Sequence, residues 1–279
     1  MPTSVKQENA AVVVHAQPQV SAVLYKVYFF GPFRVLCDNR PLGEPVWRRN
    51  KAKTLLKWFL LNESRMFSAD QLMKNFWPDV PKASAERSFH VAIHYLRHLL
   101  EPALPRRQES SYIRRNKDNF YWFEPAGNWW ADIFDIQHLY SEAKVAEQRA
   151  ELSVAMLHYR QIAEYCNLGF LHEDTYEDIF APYRRHYERI YAEVLERLIQ
   201  LYTQAELIGE VLTYAHHALM ADPYCEPAMK AIAHAYFLQG NTAGAIRQLD
   251  SFQAFLREDL GIEPSEDILF LRKNIAKLE

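Results

Sequence analysis

The chain has 279 residues, 49% of them hydrophobic and 14% aromatic, which is enough apolar material for real hydrophobic cores and argues against global disorder. Its length fits two domains or one large one. The three cysteines lie far apart without a CxxC pair, which argues against a disulfide framework or a cysteine zinc site and is typical of the reducing cytoplasm. No apolar run approaches the roughly 18 residues that would span a membrane, so no membrane partner is predicted.

Charge is distributed unevenly along the chain, although the formal net charge is only −3. Residues 23–124 carry a net charge of +8, residues 125–279 carry −11, and residues 1–22 carry none. The first 22 residues lack the basic and then apolar pattern of a signal peptide, and we expect them to form a mobile tail. A basic half followed by an acidic half predicts different partners for the two halves, and a polyanion for the first.

The first half is predicted to begin with a small antiparallel sheet. Residues 25–42 mix β-branched and aromatic residues, and they contain two turn signals, Gly31-Pro32 and Asp38-Asn39. This pattern favours two or three short strands.

Three helices and a hairpin are predicted to follow. The first helix covers 48–62 behind a basic first turn, and the second opens at a capping box formed by Ser68 and Gln71 and ends before Pro78. The third covers 83–100. Residues 112–123 then fit a β-hairpin with its bend near Asp118-Asn119.

The second half is predicted to be helical throughout. A self-similarity at a spacing of 34 residues aligns Val194, Leu198 and Tyr202 with Ala228, Ile232 and Tyr236, which is the period of tetratricopeptide helix pairs. An ordinary helical bundle is the alternative. The segments with helical periodicity are 137–150, 152–166, 179–206, 210–221, 226–239, 242–259 and 265–278.

No enzyme motif is present, and neither a catalytic site nor a cofactor is predicted. The sequence lacks GxxxxGK[ST], GxSxG, HExxH and GxGxxG, and its 8 glycines make a phosphate-cradling loop improbable. His172-Glu173-Asp174 could attract a metal, but a solvated polar linker explains these residues better. Asp132 and Asp135 precede a helix, and capping explains them better than paired acid–base chemistry.

The third helix carries three histidines at intervals of four residues, His90, His94 and His98. A helical wheel places them on one face with Arg87 and Arg97. A metal site is disfavoured, because His98 lies about 12 Å along the axis from His90 and two arginines share the face. The opposite face is apolar and consists of Ala85, Phe89, Ala92, Ile93, Leu96 and Leu100.

A basic helix face of this kind fits the major groove of DNA, where arginine and histidine side chains hydrogen-bond base edges and phosphates. A short helix precedes it, as in a helix-turn-helix, and the hairpin that follows carries Arg114, Arg115, Asn116 and Lys117 at or near its tip. A solvated basic face is the alternative interpretation. Together with the charge split, the combination predicts DNA binding.

With these motifs in order, residues 24–124 resemble the OmpR-type winged helix, and 24–278 resemble the SARP-like bacterial transcriptional activators. The resemblance implies an α+β winged helix-turn-helix domain over 23–124, with a small antiparallel sheet and a wing hairpin, followed by an all-α, tetratricopeptide-like bacterial transcriptional activator domain over 125–279. The matching text includes FFGPFRV, WRRNKAKTLLKWFLL, FSADQLMKNFWPD, YIRRNKDNFYWF, WWADIFDIQHL, ALMADPYCEPAMKAIAHAY and LGIEP.

The resemblance also implies roles for individual residues. In the recognition helix, 83–100, Arg87, His90, Val91 and His94 would face bases or nearby phosphates, and Arg97 would lie on the backbone side. Trp77 matches the tryptophan that packs beneath this helix and can touch phosphate. The remaining implied or predicted DNA-binding residues are in the hairpin: Arg114, Arg115, Lys117 and Tyr121.

The chain departs from the family pattern in two places. Asp118-Asn119-Phe120 stands at the wing tip, where glycines are common, and Asn and Asp tolerate the left-handed backbone that such a turn needs. Histidines stand where the family often has arginines, so the base preference is not inherited.

The sequence therefore predicts a cytoplasmic, sequence-specific DNA-binding transcriptional regulator. By resemblance it would be an activator that binds double-stranded DNA at repeated promoter sites as a homodimer and contacts RNA polymerase. Two alternatives stay open: a protein-interaction scaffold that works through the helical half, and a metal- or ligand-responsive sensor.

Overall fold

The computed structural model describes residues 25–42, 50–125, 127–174 and 177–277. The predicted mobile tail, 1–22, lies outside these residues. The described residues begin with three short antiparallel strands, as predicted: β1 (Tyr25–Tyr28), β2 (Arg34–Cys37) and β3 (Arg40–Pro41). The turn between β2 and β3 places Asp38 and Asn39 in the left-handed region, at φ 48° and 61°. Aspartate and asparagine are the non-glycine residues that tolerate this backbone best.

A fourth strand, β7 (Trp129–Ala131), completes this sheet and was not predicted from the sequence. It pairs in parallel with β1, with Val27 opposite Ala131, and gives the order β3-β2-β1-β7. The strand lies beyond the predicted boundary at residue 124, so the sheet of the first half takes its last strand from the start of the second.

The winged helix is built on three helices, α1 (Asn50–Leu61), α2 (Ala69–Phe76) and α3 (Lys82–Leu100). The predicted capping box is present at the start of α2, where the Ser68 hydroxyl accepts from Gln71 N and the Gln71 side chain accepts from Ser68 N. A second sheet, in the order β4-β6-β5, consists of β4 (Phe67–Ser68), β5 (Ile113–Arg115) and β6 (Phe120–Phe123). The predicted winged helix-turn-helix is confirmed.

In the described residues of the second half, seven α-helices follow one another, each packed on the next, as the periodicity predicted. The positions aligned at a spacing of 34 residues are equivalent in the structure: Val194 and Leu198 are buried in the third of these helices, and Ala228 and Ile232 in the fifth. The helices are α4 (Asp132–Gln148), α5 (Leu152–Cys166), α6 (Ala181–Gln204), α7 (Ile208–Ala221), α8 (Glu226–Leu238), α9 (Thr242–Leu260) and α10 (Glu266–Lys277).

The turns inside the helix pairs α4–α5, α6–α7 and α8–α9 share one geometry. Each has a residue in the left-handed region, namely Ala150 (φ 58°), Glu206 (φ 56°) and Gly240 (φ 75°). In each turn, the N–H of the next residue donates to the carbonyl oxygen of the residue five positions earlier. The N···O distances are 2.9–3.0 Å for Glu151, Leu207 and Asn241. This is the hydrogen-bond pattern of the Schellman motif. The repeat is therefore visible in the backbone as well as in the side chains.

The two halves share one continuous core. The segment after β1 packs on the segment after α5: Leu171 N donates to Phe29 O at 2.8 Å, and Gly31 N donates to Gly169 O at 3.0 Å. The Phe170 ring then stacks on Tyr187 of α6, at 4.7 Å between centroids.

Asp132 also joins the two halves, and here the capping interpretation was wrong. Its Oδ2 accepts from Phe29 N at 2.8 Å and from Phe30 N at 3.0 Å, and the N-cap residue of α4 is Ala131, which makes no side-chain cap bond. Asp135 is not a cap either, because its carboxylate accepts from Trp130 Nε1 and Tyr165 Oη. The sequence signal for capping is ambiguous, since an acidic residue in the first turn fits either role.

The polar linker interpretation of His172-Glu173-Asp174 was also incomplete. These residues form a 3₁₀ turn that lies against α1. The carboxylate of Asp174 accepts from the ammonium group of Lys57, whose side chain is only 2% exposed, and Glu173 lies 3.5 Å from Lys53. Burial lowers the pKa of Lys57, and the hydrogen bond to Asp174 opposes this shift.

Candidate nucleic-acid interface

Helix α3, the predicted recognition helix, has an apolar face and, opposite it, a basic one. Its buried residues match the predicted apolar face without exception: Ala85, Phe89, Ala92, Ile93, Leu96 and Leu100. Arg87, His90, Val91 and His94 are exposed on the other side, and Val91 has 42% of its surface exposed. The contacts between the two halves involve the segment after β1 and helix α1, so they leave this exposed face of α3 uncovered.

Several side chains of the exposed face contact neighbours on the same helix. Arg87 Nε donates to Ala83 O at 3.3 Å, and the His94 and His98 rings lie 4.4 Å apart. His90 Nε2 lies 3.9 Å from a carboxylate oxygen of Glu86, so this basic face also carries one acidic side chain beside His90. Within the described ranges, no three His, Cys, Asp or Glu side chains come close enough together to hold a metal ion.

Aromatic side chains support α3 from beneath. Phe89 packs edge-on against Tyr121 of β6, at 5.0 Å between ring centroids, and against Trp77 at 6.3 Å. Trp77 is half-buried, whereas Tyr121 is only 1% exposed and burial raises the pKa of its phenol. Among the ten predicted DNA-binding residues Tyr121 is therefore placed to position its neighbours rather than to reach DNA directly.

Arg97 ties the recognition helix to the wing. It is half-buried, and its Nε donates to Ile113 O at the start of β5, at 3.0 Å. Burial lowers the pKa of this guanidinium. The contact fixes the position of the hairpin relative to the exposed face of α3.

The wing is a hairpin with an asparagine-based turn. Asn116 Oδ1 accepts from Asp118 N at 3.0 Å and from Phe120 N at 2.9 Å, and Asn119 adopts φ 60°. The prediction that asparagine replaces the usual glycine at the tip is confirmed. The cations Arg114, Arg115 and Lys117 are all exposed, and the Arg115 guanidinium hydrogen-bonds Asn119 while lying 5.6 Å over the Tyr121 ring.

A basic loop between α3 and the wing was not predicted from the sequence. Arg106 and Arg107 are exposed there, and with α3 and the wing they line a concave pocket of about 490 Å³. The arginine pair was visible in the sequence, but its position beside α3 depends on how the loop folds.

Comparisons with known proteins agree with the fold of the two halves. Residues 131–276 match the family model described as the bacterial transcriptional activator domain, and residues 43–119 match the model described as transcriptional regulatory protein, C terminal. No curated protein matches the chain. None of the helices in the described residues is long and apolar enough to cross a membrane.

Two solved structures are similar. Mycobacterium tuberculosis EmbR, in complex with a low-affinity phosphopeptide, superposes with a TM-score of 0.73 at 17% identity over 92% of this chain, and this chain spans 66% of that one. The TPR2B domain of yeast Sti1, in complex with pHsp70, has a TM-score of 0.35 at 14% identity, over 52% of this chain and 99% of that domain. The first similarity supports the overall fold, whereas the TM-score of the second is too low to indicate a shared fold.

Proposed function

We propose that this chain, which belongs to the bacterial transcriptional activator domain family, binds double-stranded DNA in a sequence-specific manner and regulates transcription. The observation that carries the proposal is the exposed face of α3, formed by Arg87, His90, Val91 and His94, beside an exposed cationic wing. The two families whose models match are families of transcriptional regulators rather than enzymes.

On this proposal α3 lies in the major groove. Arg87 and His94 would hydrogen-bond base edges, and Val91 would contact apolar groups such as the thymine methyl. The wing cations Arg114, Arg115 and Lys117 would bind phosphates or reach the minor groove, which positions the protein without reading sequence. Trp77, Tyr121 and Arg97 would hold α3 and the wing in place, with Trp77 and Arg97 near the DNA backbone.

The helical half would supply the contact with the transcription machinery. It carries the net charge of −11, which disfavours DNA, so its exposed surfaces are free for protein partners. We propose that the chain is a cytoplasmic activator that binds repeated promoter sites as a homodimer and contacts RNA polymerase.

The experiment is to recover the fragments that the full chain selects from genomic DNA and to measure binding of the best fragment against salt concentration. Affinity should fall steeply with salt, because each neutralised phosphate releases counterions. Arg87→Ala and His94→Ala should reduce the discrimination between the best site and its single-base variants, whereas Lys117→Ala should weaken binding to all sequences evenly.

The matched control is Arg149→Ala, which removes an exposed charge from the helical half and should leave DNA binding unchanged. Absence of any enriched motif would favour the second candidate, a scaffold or ligand-responsive sensor. That candidate is supported by a cavity of about 760 Å³ between α5, α6, α7 and α8, lined by apolar residues and by the charged side chains of Glu188, Arg189, Glu193, Glu196 and Asp222.

A further inference from the structure

The loop that follows α3 contains a tight turn with an arginine in an unfavourable backbone conformation. Gln108 N donates to Pro105 O at 3.2 Å, which closes a four-residue turn with Arg106 and Arg107 at its centre. Arg107 has φ 71°, in the left-handed region where glycine or asparagine is the usual residue. A long cationic side chain at such a position costs stability, and outliers of this kind concentrate at functional sites.

The turn is held against α3 and the wing by the residues at its two ends. Leu104 N donates to Glu101 O at 2.9 Å, and the Glu101 carboxylate accepts from Ser111 N at 2.9 Å and from the Ser110 hydroxyl. Ser110 is buried, and its hydroxyl accepts from Ile113 N at 3.0 Å, so the loop is fixed to the first strand of the wing. The Arg106–Arg107 turn is therefore presented in a defined position.

The pocket beside this turn is cationic on three sides. Arg106 and Arg107 line it from the loop, Arg97 from α3 and Arg115 from the wing, with His94 and His98 between them. Of the two carboxylates that flank the turn, Glu101 accepts hydrogen bonds from Ser110 and Ser111, and Glu109 is exposed beyond the turn. Among the described residues, neither Arg106 nor Arg107 has an ion-pair partner. Guanidinium groups gathered in this way suit a phosphate, which accepts paired hydrogen bonds from arginine.

We propose that the turn formed by residues 105–108 binds a phosphate of the DNA backbone, as a third contact beyond α3 and the wing. The inference rests on the proposed function, because the pocket opens beside the face that would read the bases. Arg106 and Arg107 supply the binding groups, and Arg97 and Arg115 form the cationic wall between helix and hairpin. The contact carries no sequence information and fixes how α3 is oriented in the groove.

The test compares the full chain with the double variant R106A/R107A on the best selected fragment. The variant should bind every sequence roughly tenfold more weakly. The slope of log affinity against log salt should fall by about 1 to 2, at about 0.9 for each phosphate that is no longer neutralised. Phosphate-ethylation interference should disappear at one or two positions and persist at those that depend on Lys117. The charge-matched control R149A/R185A should change neither the slope nor the interference pattern.

A second variant separates binding from folding. Arg107→Gly relieves the left-handed backbone and should raise the Tm, yet it should lower DNA affinity and reduce the salt slope by about 1. A purely structural role for Arg107 would leave affinity unchanged or improve it, which would contradict the proposal.

Two further outcomes would overturn the inference. If R106A/R107A behaves like R149A/R185A while the unmodified chain binds its fragment, the turn does not contact DNA and the proposed function stands. If inorganic phosphate weakens DNA binding beyond chloride of equal ionic strength, and R106A/R107A abolishes only that effect, the pocket takes a free phosphate instead. Failure of the unmodified chain to bind any DNA would refute the proposed function itself.

Discussion

The charge state of Asp132 depends on how the two halves pack. Its carboxylate is buried under the segment after β1, and burial raises its pKa to about 7, against the opposing effect of the hydrogen bonds from Phe30 N and Phe29 N. The other carboxylate oxygen, Oδ1, is buried without a hydrogen-bond partner among the described residues. An ionised carboxylate in this position is therefore only partly compensated.

This environment predicts a pH-dependent stability. The pKa of Asp132 is raised in the folded state, so the folded chain keeps this proton to a higher pH than the unfolded chain does. Protonated Asp132 therefore stabilises the fold fully below about pH 4, and this stabilisation is lost as the pH rises to about 7. Asp132→Asn keeps a carbonyl acceptor for the two backbone N–H groups and removes the titration. As the pH rises from 4 to 8, D132N should therefore become more stable relative to the unmodified chain, as measured by the free energy of unfolding.

Urea denaturation at several pH values measures this difference. The control is Asp178→Asn, which makes the same substitution at an exposed carboxylate. A flat difference for D132N would mean that Asp132 is ionised in the fold without cost.

For single residues, the sequence predicts positions within a periodic pattern but not partners that lie far away along the chain. The apolar face of α3 was predictable because its spacing is local and periodic. The partners of Asp132 lie more than 100 residues earlier in the chain, and those of Lys57 lie 117 residues later, so nothing local distinguishes these charges from surface ones. The same applies to Arg106 and Arg107, whose role depends on the neighbouring helix and hairpin.

At the scale of elements, the helices were predictable and their turns only partly so. Gly240 indicates a left-handed turn in the sequence, but Ala150 and Glu206 occupy equivalent turns without a glycine. Their backbone is imposed by the packing of the helix pairs, which overrides the local preference. The parallel strand β7 was missed for a similar reason, since two tryptophans before a helix give no sign of a partner strand that begins at Tyr25.

These turns yield a stability prediction. Ala150→Gly and Glu206→Gly should each stabilise the chain by about 0.5–1 kcal/mol, because relief of the left-handed strain exceeds the entropy that glycine costs. Thermal or urea unfolding would measure the gain. As a control, Ala192→Gly at an exposed position inside α6 should destabilise by about 1 kcal/mol. Equal losses at all three positions would contradict the strain argument.

At the scale of the whole molecule, the two halves are joined by polar as well as apolar contacts. Lys57 of α1 is buried against Asp174, and Tyr183 Oη of α6 donates to the Asn62 side chain at 2.8 Å. These contacts hold the side of the winged helix that lies away from the recognition face. The fold class could be predicted from the sequence, but this junction could not, because it consists of pairings between distant segments.

The ion pair predicts strong coupling between Lys57 and Asp174. Lys57→Met should destabilise by about 3–5 kcal/mol, because it leaves the Asp174 carboxylate without its buried partner. The double variant K57M/D174N should recover much of this loss, which a double-mutant cycle in urea would detect. Lys53→Met with Glu173→Gln is the more exposed control pair, with an expected coupling below about 1 kcal/mol. Additive losses for Lys57 and Asp174 would show that the pair is not coupled.

The parallel pairing of β7 with β1 has a consequence for any attempt to isolate the DNA-binding half. A fragment that ends at residue 124 would leave one side of β1 without its hydrogen-bonding partner, and an uncovered strand edge is a template for pairing with another copy. Such a fragment would contain every DNA-binding residue proposed here and would still be prone to self-association. A cut after Ala131 retains β7 beside β1, so that β7 is the edge strand as in the full chain, and the first half then ends at the first residue of the segment that matches the activator-domain family.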